Sequence, residues 1–298
     1  MNRHLCTMLV TLALTGCSTG GGGSGGPSGL DSPPPNDSSS SPASFEYPTL
    51  AAVTGEVHVE SAIPAGQFGY DGLRGRVSAT ADGAGNFTFR VDDPRIGPYQ
   101  FTVNLPRNTK IDFSGAQVQG SFASFDYSAL GTWQHSPDPN NFVLWGGSAV
   151  AGVATRAADL PRTGTASYAG PFLGRYNDDG DPWVVSATAR SLANFGTGVV
   201  SFETTGTQIT DSRNTLSAPQ LDLTGSMTFA SSGGARQNSL SGSVSTKSGS
   251  MTGDVRAVFF GPSSPTSAPP ELGGSVALKG GGPEPEGVSL TGSFIMRR

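Results

Sequence analysis

The sequence predicts an all-β protein in which an N-terminal antiparallel sheet precedes a small eight-stranded up-and-down β-barrel, after a disordered tether. Glycine supplies 43 of the 298 residues and charged residues only 14%, a balance that favours turns and short strands. From Phe45 onward, short runs of alternating apolar and polar residues are separated by turn residues, without a long segment of helical period. Between Ser18 and Ser44 the chain is nearly all glycine, serine and proline.

The first sixteen residues have the features of a secretory signal peptide. They carry Arg3, no acidic residue and a short apolar run ending at Leu14, which is too short to span a membrane. The sequence Leu14-Thr15-Gly16-Cys17 looks like a lipobox, at which cleavage leaves Cys17 as an acylated N-terminus. We therefore expect a lipoprotein signal peptide over 1–16 and lipidation of Cys17 by palmitate or similar chains. The alternative is an ordinary signal peptide with an incidental cysteine.

Residues 17–44 are predicted to form a lipidated, disordered tether. This stretch has almost nothing to bury, and as a flexible coil it would hold a folded body about 30 Å from a lipid surface. Ser18 follows Cys17, which favours delivery to the outer membrane, because aspartate at that position generally retains bacterial lipoproteins in the inner membrane. A glycine-rich phosphate loop is the alternative, but no strand precedes it and no Lys-Ser/Thr follows it.

Residues 45–160 are predicted to form a β-rich domain. The segment from Phe87 to Val91 alternates so that its apolar residues share one face of a strand, and the segment from Tyr99 to Leu105 does the same. These faces are the predicted core of the first domain.

Residues 161–298 are predicted to form the barrel, after an extended joint that Leu160-Pro161 imposes. The eight candidate strands lie around Ala166–Tyr168, Val184–Ala189, Gly198–Glu203, Leu221–Phe229, Leu240–Thr246, Gly253–Phe260, Gly274–Leu278 and Ser289–Met296. Apolar residues line one face of each strand, and glycine at inner positions permits the tight coiling of a small closed barrel. A transmembrane barrel is the alternative, but most of the candidate strands are shorter than the 9 to 11 residues that it requires.

Three stretches resemble the transferrin-binding protein B group of surface lipoproteins. They are Phe125-Asp126-Tyr127-Ser128-Ala129-Leu130-Gly131-Thr132-Trp133, then Gly152–Thr155 with Leu160–Gly170, and finally Phe259–Pro262 with Glu271–Val276 and Gly292–Phe294. The resemblance rests on the order and spacing of these stretches from Phe125 to Arg298. It is weaker before Phe125. The loop from Ser263 to Pro270 is longer than its counterpart in that group.

This resemblance implies a handle domain over 45–160 and an eight-stranded barrel over 161–298, together equivalent to one of the two lobes of transferrin-binding protein B. It also implies a surface-exposed, outer-membrane lipoprotein that binds a host or environmental macromolecule in iron acquisition, with an iron or haem carrier as the first hypothesis. The implied partners are the membrane, through the lipid anchor, a TonB-dependent outer-membrane receptor and a surface-lipoprotein export machinery. The alternatives are a lipoprotein that binds a complement regulator or acts in adhesion, and a small-ligand binder that holds haem.

The composition argues against several other functions. Cys6 leaves with the signal peptide and Cys17 is acylated, so no disulfide is expected. A net charge of −5 provides no basic stripe for nucleic acid. Only His58 and His135 remain after maturation, and no Gly-x-Ser-x-Gly elbow occurs, so we expect neither an enzyme nor catalytic residues.

Trp133, His135 and Trp145 are the candidate ligand-binding residues. The two tryptophans flank a Pro-Asp-Pro turn, and tryptophan is enriched at binding hot spots, although a core role is the alternative. His135 falls in the predicted loop 134–141 and could ligate haem iron, as could His58; a solvated turn histidine is the alternative.

The acidic stretch from Asn177 to Pro182 resembles the start of a calcium loop. Pro182 occupies the position at which such a loop requires glycine, and Thr188 the position at which it requires glutamate. An acidic hairpin turn is therefore predicted here, with no metal and no cofactor.

Overall fold

The computed structural model describes residues 47–62, 76–93, 97–115, 117–136, 145–178, 181–211, 214–280 and 288–298. The predicted signal peptide, Cys17 and the tether lie outside the described residues. Residues Phe45–Arg298 form one compact unit. Among the described residues, no helix has both the length and the apolarity needed to span a membrane.

The first sheet contains eight antiparallel strands. They are β1 (Thr54–Ala62), β2 (Arg76–Asp82), β3 (Asn86–Asp93), β4 (Gly97–Asn104), β5 (Lys110–Ser114), β6 (Val118–Ser124), β7 (Ser128–His135) and β8 (Trp145–Gly152). Their order in the sheet is β4-β3-β2-β1-β8-β7-β6-β5. Residues 54–57 of β1 pair with β2 and residues 58–62 pair with β8, so that one strand joins the two halves of the sheet.

The core of the first sheet follows the predicted alternation. Phe87, Phe89 and Val91 of β3 are buried on one face, together with Phe101 and Val103 of β4. Stacking of Phe89 on Phe101, with ring centroids 5.4 Å apart, joins the two strands. The prediction of shared faces in these segments is confirmed.

The second sheet is a closed barrel, as predicted. Its strands are β9 (Thr165–Asp178), β10 (Asp181–Asn194), β11 (Val199–Thr210), β12 (Thr215–Ser217), β13 (Leu223–Ser232), β14 (Ala235–Thr246), β15 (Met251–Phe260), β16 (Glu271–Gly280) and β17 (Ser289–Arg297). Pairing of β10 with β11 and of β17 with β9 closes a ring of eight antiparallel strands, and the short β12 adds to β11 outside the ring.

Each of the eight predicted strands lies within or largely overlaps one strand of this ring, but the predicted lengths are wrong. The ring strands run from 9 residues in β17 to 14 in β9 and β10. The ladders continue beyond the alternating stretches, as from Ala169 to Asp178 of β9, where Gly170, Pro171 and the adjacent Phe172 and Leu173 interrupt the alternation. Length therefore does not separate this barrel from the membrane-spanning alternative that the sequence left open.

Phenylalanine rings fill the barrel interior, and glycines allow its walls to approach closely. Phe202 and Phe294 meet across the interior, with ring centroids 4.6 Å apart. A Cβ atom at Gly242 would overlap the carbonyl oxygen of Ser226 on the neighbouring strand. Position 242 requires glycine because a larger residue would push the adjacent strands apart.

One face of the first sheet carries the core just described. The other face packs against the outer wall of the barrel. Alternation along β7 places Trp133 in the core of the first sheet and Leu130 against the barrel. The shared cluster contains Ala123, Leu130 and Val150 from the first sheet and Leu173, Val258, Phe260 and Ile295 from the barrel. At its centre, Ser293 Oγ donates a hydrogen bond to Ser148 Oγ over 3.0 Å. The two sheets therefore share a buried interface.

The joint between the sheets is extended, as the proline predicted. Leu160 has φ −66° and ψ 134°, and its side chain is buried in the barrel core. Upstream, Thr155 donates its backbone N–H to the oxygen of Phe259 and its hydroxyl to the oxygen of Gly261. Gly261 has φ +83°, and a side chain there would also meet the ring of Tyr127, so glycine is required at this crossing.

Candidate functional site

Trp133 lies inside the core of the first sheet. Its ring is 1% exposed and lies 5.6 Å from that of Phe101. Its indole Nε1 donates to the hydroxyl of Tyr99 over 2.9 Å. Trp133 is thus a buried core residue whose indole N–H has an acceptor, which is the core role named above as the alternative. A role of Trp133 in binding stays a prediction.

His135 is the last residue of β7 and is not a solvated turn residue. It is 6% exposed and stacks on Tyr99, with ring centroids 4.1 Å apart and an interplanar angle of 7°. β7 extends through this residue because His135 pairs with Val118 on one side and Trp145 on the other. Burial lowers the pKa of His135, while a backbone hydrogen bond at Gln117 and the charge of Asp93 act against that shift.

The structure brings the backbones of the three predicted residues together. Trp133 and His135 share one face of β7, and Trp145 is the first residue of β8, directly opposite His135. The side chain of Trp145 lies outside the described residues. The other histidine, His58, is mid-strand in β1, with Nε2 3.2 Å from Glu60 Oε1, and the structure does not bring it to this cluster.

The acidic stretch lies at the end of β9, where Asn177 and Asp178 pair with Pro182 and Asp181 of β10. Residues 179–180 and the side chains of 181–182 lie outside the described part of the chain. Within the described part, no group of three or more histidine, cysteine, aspartate or glutamate residues is arranged to hold a metal ion.

Three contacts fix the relative direction of the two sheets. Ser128, at the start of β7, contacts Glu271 at the start of β16. Ser148 contacts Ser293 about midway along the interface. Near the end of β7, the side-chain amide of Gln134 lies against the guanidinium of Arg175, whose Nη2 would donate to the amide oxygen in the orientation that satisfies both groups. β7 and β9 therefore end on the same side of the molecule.

This side, called the loop end here, collects the ends of strands from both sheets. It contains the ends of β1, β3, β5 and β7 and those of β9, β11, β14 and β16. Of the connections between these strand ends, 247–250 is described in full, and the others include residues outside the described part of the chain. Connections between strands are where binding residues concentrate in proteins.

A cleft of about 350 Å³ with a mixed polar and apolar lining lies between the two sheets near the loop end. Asp112, Gln119 and Gln134 line one wall, and Arg175 and Val184 of the barrel line the other. The lining contains hydrogen-bond donors and acceptors, with a negative charge on Asp112 and a positive charge on Arg175. A second groove, of about 510 Å³, crosses the outer wall of the barrel nearer the opposite end and includes Arg190, Glu203 and Arg297.

The chain enters the compact unit at the end opposite the loop end. Leu50 donates its backbone N–H to the oxygen of Asp126, in the turn between β6 and β7. Tyr47 donates its hydroxyl to Asp159 over 2.6 Å and accepts the backbone N–H of Arg156 over 2.9 Å. The first described residues are thereby fixed beside the joint between the two sheets.

The sequence analysis did not predict a role for Glu271, which it named only as the first residue of the Glu271–Val276 stretch. It is 3% exposed and lies where the barrel meets the turn between β6 and β7. The available signal was an acidic residue placed directly before the small and apolar residues Leu272, Gly273 and Gly274. A carboxyl group in such surroundings is buried and requires hydrogen-bond donors.

The fold and the loop end define an all-β, two-part lobe in which a curved antiparallel sheet is docked on a closed eight-stranded barrel. Among solved structures it is similar to a transferrin-binding protein B variant from Haemophilus parasuis, with a TM-score of 0.46 and 12% identity, covering 82% of this chain and 59% of that one. It is also similar to transferrin-binding protein B from Neisseria meningitidis, with a TM-score of 0.43 and 14% identity, covering 76% of this chain and 52% of that one.

A third similar structure is described as a surface lipoprotein, with a TM-score of 0.39 and 13% identity, covering 82% of this chain and 98% of that one. The chain thus spans a little over half the length of the transferrin-binding protein B structures and nearly the whole of the shorter one. No family model matches the chain, and no curated protein matches its sequence.

Proposed function

We propose that this protein is an outer-membrane, surface-exposed lipoprotein that captures a host or environmental macromolecule, with an iron or haem carrier as the first candidate. Acyl chains on Cys17 would anchor it, and residues 17–44 would form its tether. Residues 45–160 and 161–298 would act as handle and barrel of one binding lobe. The role is binding, not catalysis.

The observation that carries this proposal is the placement of the loop end relative to the entry of the chain. Leu50 is bonded to the turn at Asp126, whereas the ends of β1, β3, β5 and β7 and those of β9, β11, β14 and β16 lie at the other end. A body tethered through Tyr47 and Leu50 would present those strand ends away from the membrane. Contact surface contributed by two sheets, together with tethering beside a receptor in the same membrane, supports capture of a large partner.

The partner transporter in this proposal is a TonB-dependent receptor, reached through a surface-lipoprotein export machinery. Tethering both proteins in one membrane raises their effective concentration, so that a modest affinity is sufficient for transfer of a captured carrier. Trp145, at the start of β8, is the proposed contributor at this end, next to the buried His135 at the end of β7.

Single-cysteine labelling tests the surface placement. Cys6 and Cys17 are the only cysteines, so Ser114→Cys at the loop end and Thr163→Cys at the opposite end introduce unique reactive thiols at exposed positions. We expect a membrane-impermeant maleimide to label both on intact cells, and Cys17→Ala to abolish retention on the cell. Labelling only after permeabilisation would place the body inside the envelope and refute surface exposure.

The same two variants test the binding face. Coupling a bulky polymer to Ser114→Cys is expected to weaken capture of purified iron-carrying or haem-carrying host proteins at least tenfold, while the same polymer on Thr163→Cys leaves capture unchanged. The reverse pattern would exclude the loop end as the binding face. Recovery of a complement regulator instead of a carrier would favour the alternative function named from the sequence.

A further inference from the structure

Arginines are concentrated on the rim of the barrel at the end where the chain enters. Each lies close to a strand end on that side, at the start of β9 or β14 or at the end of β10 or β17. The group, called the basic rim here, consists of Arg162, Arg190, Arg236, Arg297 and Arg298. The chain as a whole has a net charge of −5, so the basic rim is opposite in sign to the molecule as a whole.

Acidic groups on this rim compensate only part of its charge. Asp159 is already paired with Arg156, with 2.7 Å between Oδ2 and Nε, and Glu271 is buried against the first sheet. Glu203 lies opposite Arg190 in the ladder of β10 and β11, but among the described residues neither side chain forms an ion pair. A positive potential therefore remains over the rim.

The arginines of β10 and β17 flank a groove in the outer wall of the barrel. Ala169 of β9 lies opposite Arg190 on one side and Arg297 on the other, and its small side chain leaves a space of about 510 Å³ that all three residues line. Arg297 also lies over the ring of Phe125, and Arg298, in the same groove, donates to a backbone oxygen. Those contacts involve no acidic group. The guanidinium groups therefore keep their charge for an anion, and phosphate oxygens match their paired N–H donors.

Large apolar side chains are exposed beside these arginines. Leu192 on β10 is 50% exposed, and Val199 on β11 is 41% exposed. Leu192 lies two residues from Arg190, so both side chains project from the outer wall. Val199 begins the neighbouring strand and shares the outer wall with Ser201 and Glu203. Exposed apolar and cationic side chains together are typical of surfaces that enter the headgroup region of a membrane.

The tether would join the body beside the same rim. Tyr47 is bonded to Asp159 and to the backbone of Arg156, and Arg162 follows shortly after in the chain. We rest this placement on the proposed function, in which residues 17–44 join the body to the membrane. A tether of about 30 Å brings the rim repeatedly to the lipid surface, where the attraction between charges acts over about 10 Å.

We propose that the basic rim binds the anionic lipid headgroups of the membrane that holds the tether, and so turns the loop end away from that membrane. The arginines would contact headgroup phosphates, while Leu192 and Val199 would enter the headgroup region. The contact is weak and reversible, because each arginine near an anionic surface raises the affinity by only about fivefold. The tether alone supplies reach without direction, and the rim adds the direction.

Flotation with lipid vesicles tests the basic rim. The chain from residue 17 carries Cys17→Ala, so that acyl chains do not contribute to binding. We expect it to bind vesicles of phosphatidylcholine mixed equally with phosphatidylglycerol, to be released from them by high salt, and not to bind vesicles of phosphatidylcholine alone. Arg190→Gln should weaken binding by about fivefold, and Glu203→Gln should strengthen it by a similar factor. The matched control Arg76→Gln removes the same charge at an exposed position of the loop end and should leave binding unchanged.

Two results would overturn the inference. One is no binding to the anionic vesicles, and the other is an equal loss of binding in Arg190→Gln and Arg76→Gln, which would assign the attraction to overall charge. Neither measurement involves a captured partner. Failure of the rim would therefore leave the capture function standing, and failure of the polymer test at Ser114→Cys would leave the rim standing.

Discussion

The indole of Trp133 and the hydroxyl of Tyr99 form a hydrogen bond of 2.9 Å that joins β7 to β4 across the core of the first sheet. These strands are not neighbours in the sheet, whose order places β4 and β5 at its two edges. The bond therefore ties the edge strand β4 to β7, which is the third strand from the opposite edge. The ring of the same Tyr99 stacks on His135, so that one tyrosine contacts two of the three residues that the sequence singled out.

Replacement of Tyr99 by phenylalanine should destabilise the protein by about 1–3 kcal/mol, because the buried indole N–H of Trp133 loses its acceptor. Chemical denaturation measures the change. Trp133→Phe alone and the double variant complete a cycle, in which the second substitution should cost much less when Tyr99 is already phenylalanine. Additive losses would show that the hydrogen bond does not couple the two residues.

The His135 ring should make the protein less stable in acid. Burial lowers its pKa, so the native state resists protonation and stability is lost progressively as the pH falls below 6.5. His135→Phe can retain a stacked ring without a titrating nitrogen. The difference in unfolding free energy, variant minus wild type, should increase between pH 7.5 and pH 5, and a constant difference would contradict a buried neutral imidazole.

Ser128 tunes the titration of Glu271. The Ser128 hydroxyl bond lowers the pKa of Glu271 against the effect of burial, so Ser128→Ala should move the NMR midpoint of the Glu271 carboxyl upward. Ser121→Ala removes a hydroxyl that donates to the exposed Asp112 and serves as the control, with no effect on Glu271. A downward movement in Ser128→Ala would mean that the hydroxyl does not donate to the carboxylate.

The interface between the sheets should depend on Phe260. Its side chain is fully buried in the shared cluster, and Phe260→Ala should destabilise the protein by about 3–5 kcal/mol through lost burial and the cavity that remains. Leu192 is 50% exposed on β10, and Leu192→Ala should change stability by less than about 0.5 kcal/mol. Thermal and denaturant unfolding compare the two, and equal losses would contradict the buried interface.

The narrow packing of barrel strands should make Gly242 intolerant of a side chain. A Cβ there overlaps the oxygen of Ser226, so Gly242→Ala should destabilise or prevent folding, with a loss of at least about 2 kcal/mol. Ser241→Ala, at the neighbouring exposed position, should be nearly neutral. Circular dichroism and denaturant titration of both variants check this, and a neutral Gly242→Ala would show that adjacent strands can separate there.

The sequence was informative wherever alternation of apolar and polar residues was strong. Phe87, Phe89 and Val91 indicated a strand because their side chains share one core, and the barrel strands were located for the same reason. The alternation did not reveal the end of β9, since the backbone ladder continues where alternation is interrupted by Gly170, Pro171 and the adjacent buried residues Phe172 and Leu173. The sequence therefore predicts where the strands lie better than it predicts where they begin and end.

The burial of the site residues could not be predicted from the alternation of apolar and polar residues. His135 follows polar Gln134 and precedes Ser136 and Pro137, which is the composition of a turn, yet pairing with Val118 and Trp145 carries it into the core. Glu271 is buried by the Asp126–Ser128 turn, which lies more than 140 positions earlier in the chain. The burial of Glu271 depends on contacts distant in sequence, and that of His135 depends on stacking against Tyr99 of β4, which local patterns do not encode.

The closure of the barrel by β17 and β9 sets the timing of folding. Arg297 pairs with Ala169, so a nascent chain holding β9 through β16 has two open edges until β17 is made. Long-range pairings of this kind slow folding, and unpaired edges invite aggregation. A helper that shields the edge of β9 during synthesis and transport would therefore raise the yield of folded protein, without contributing to its final stability.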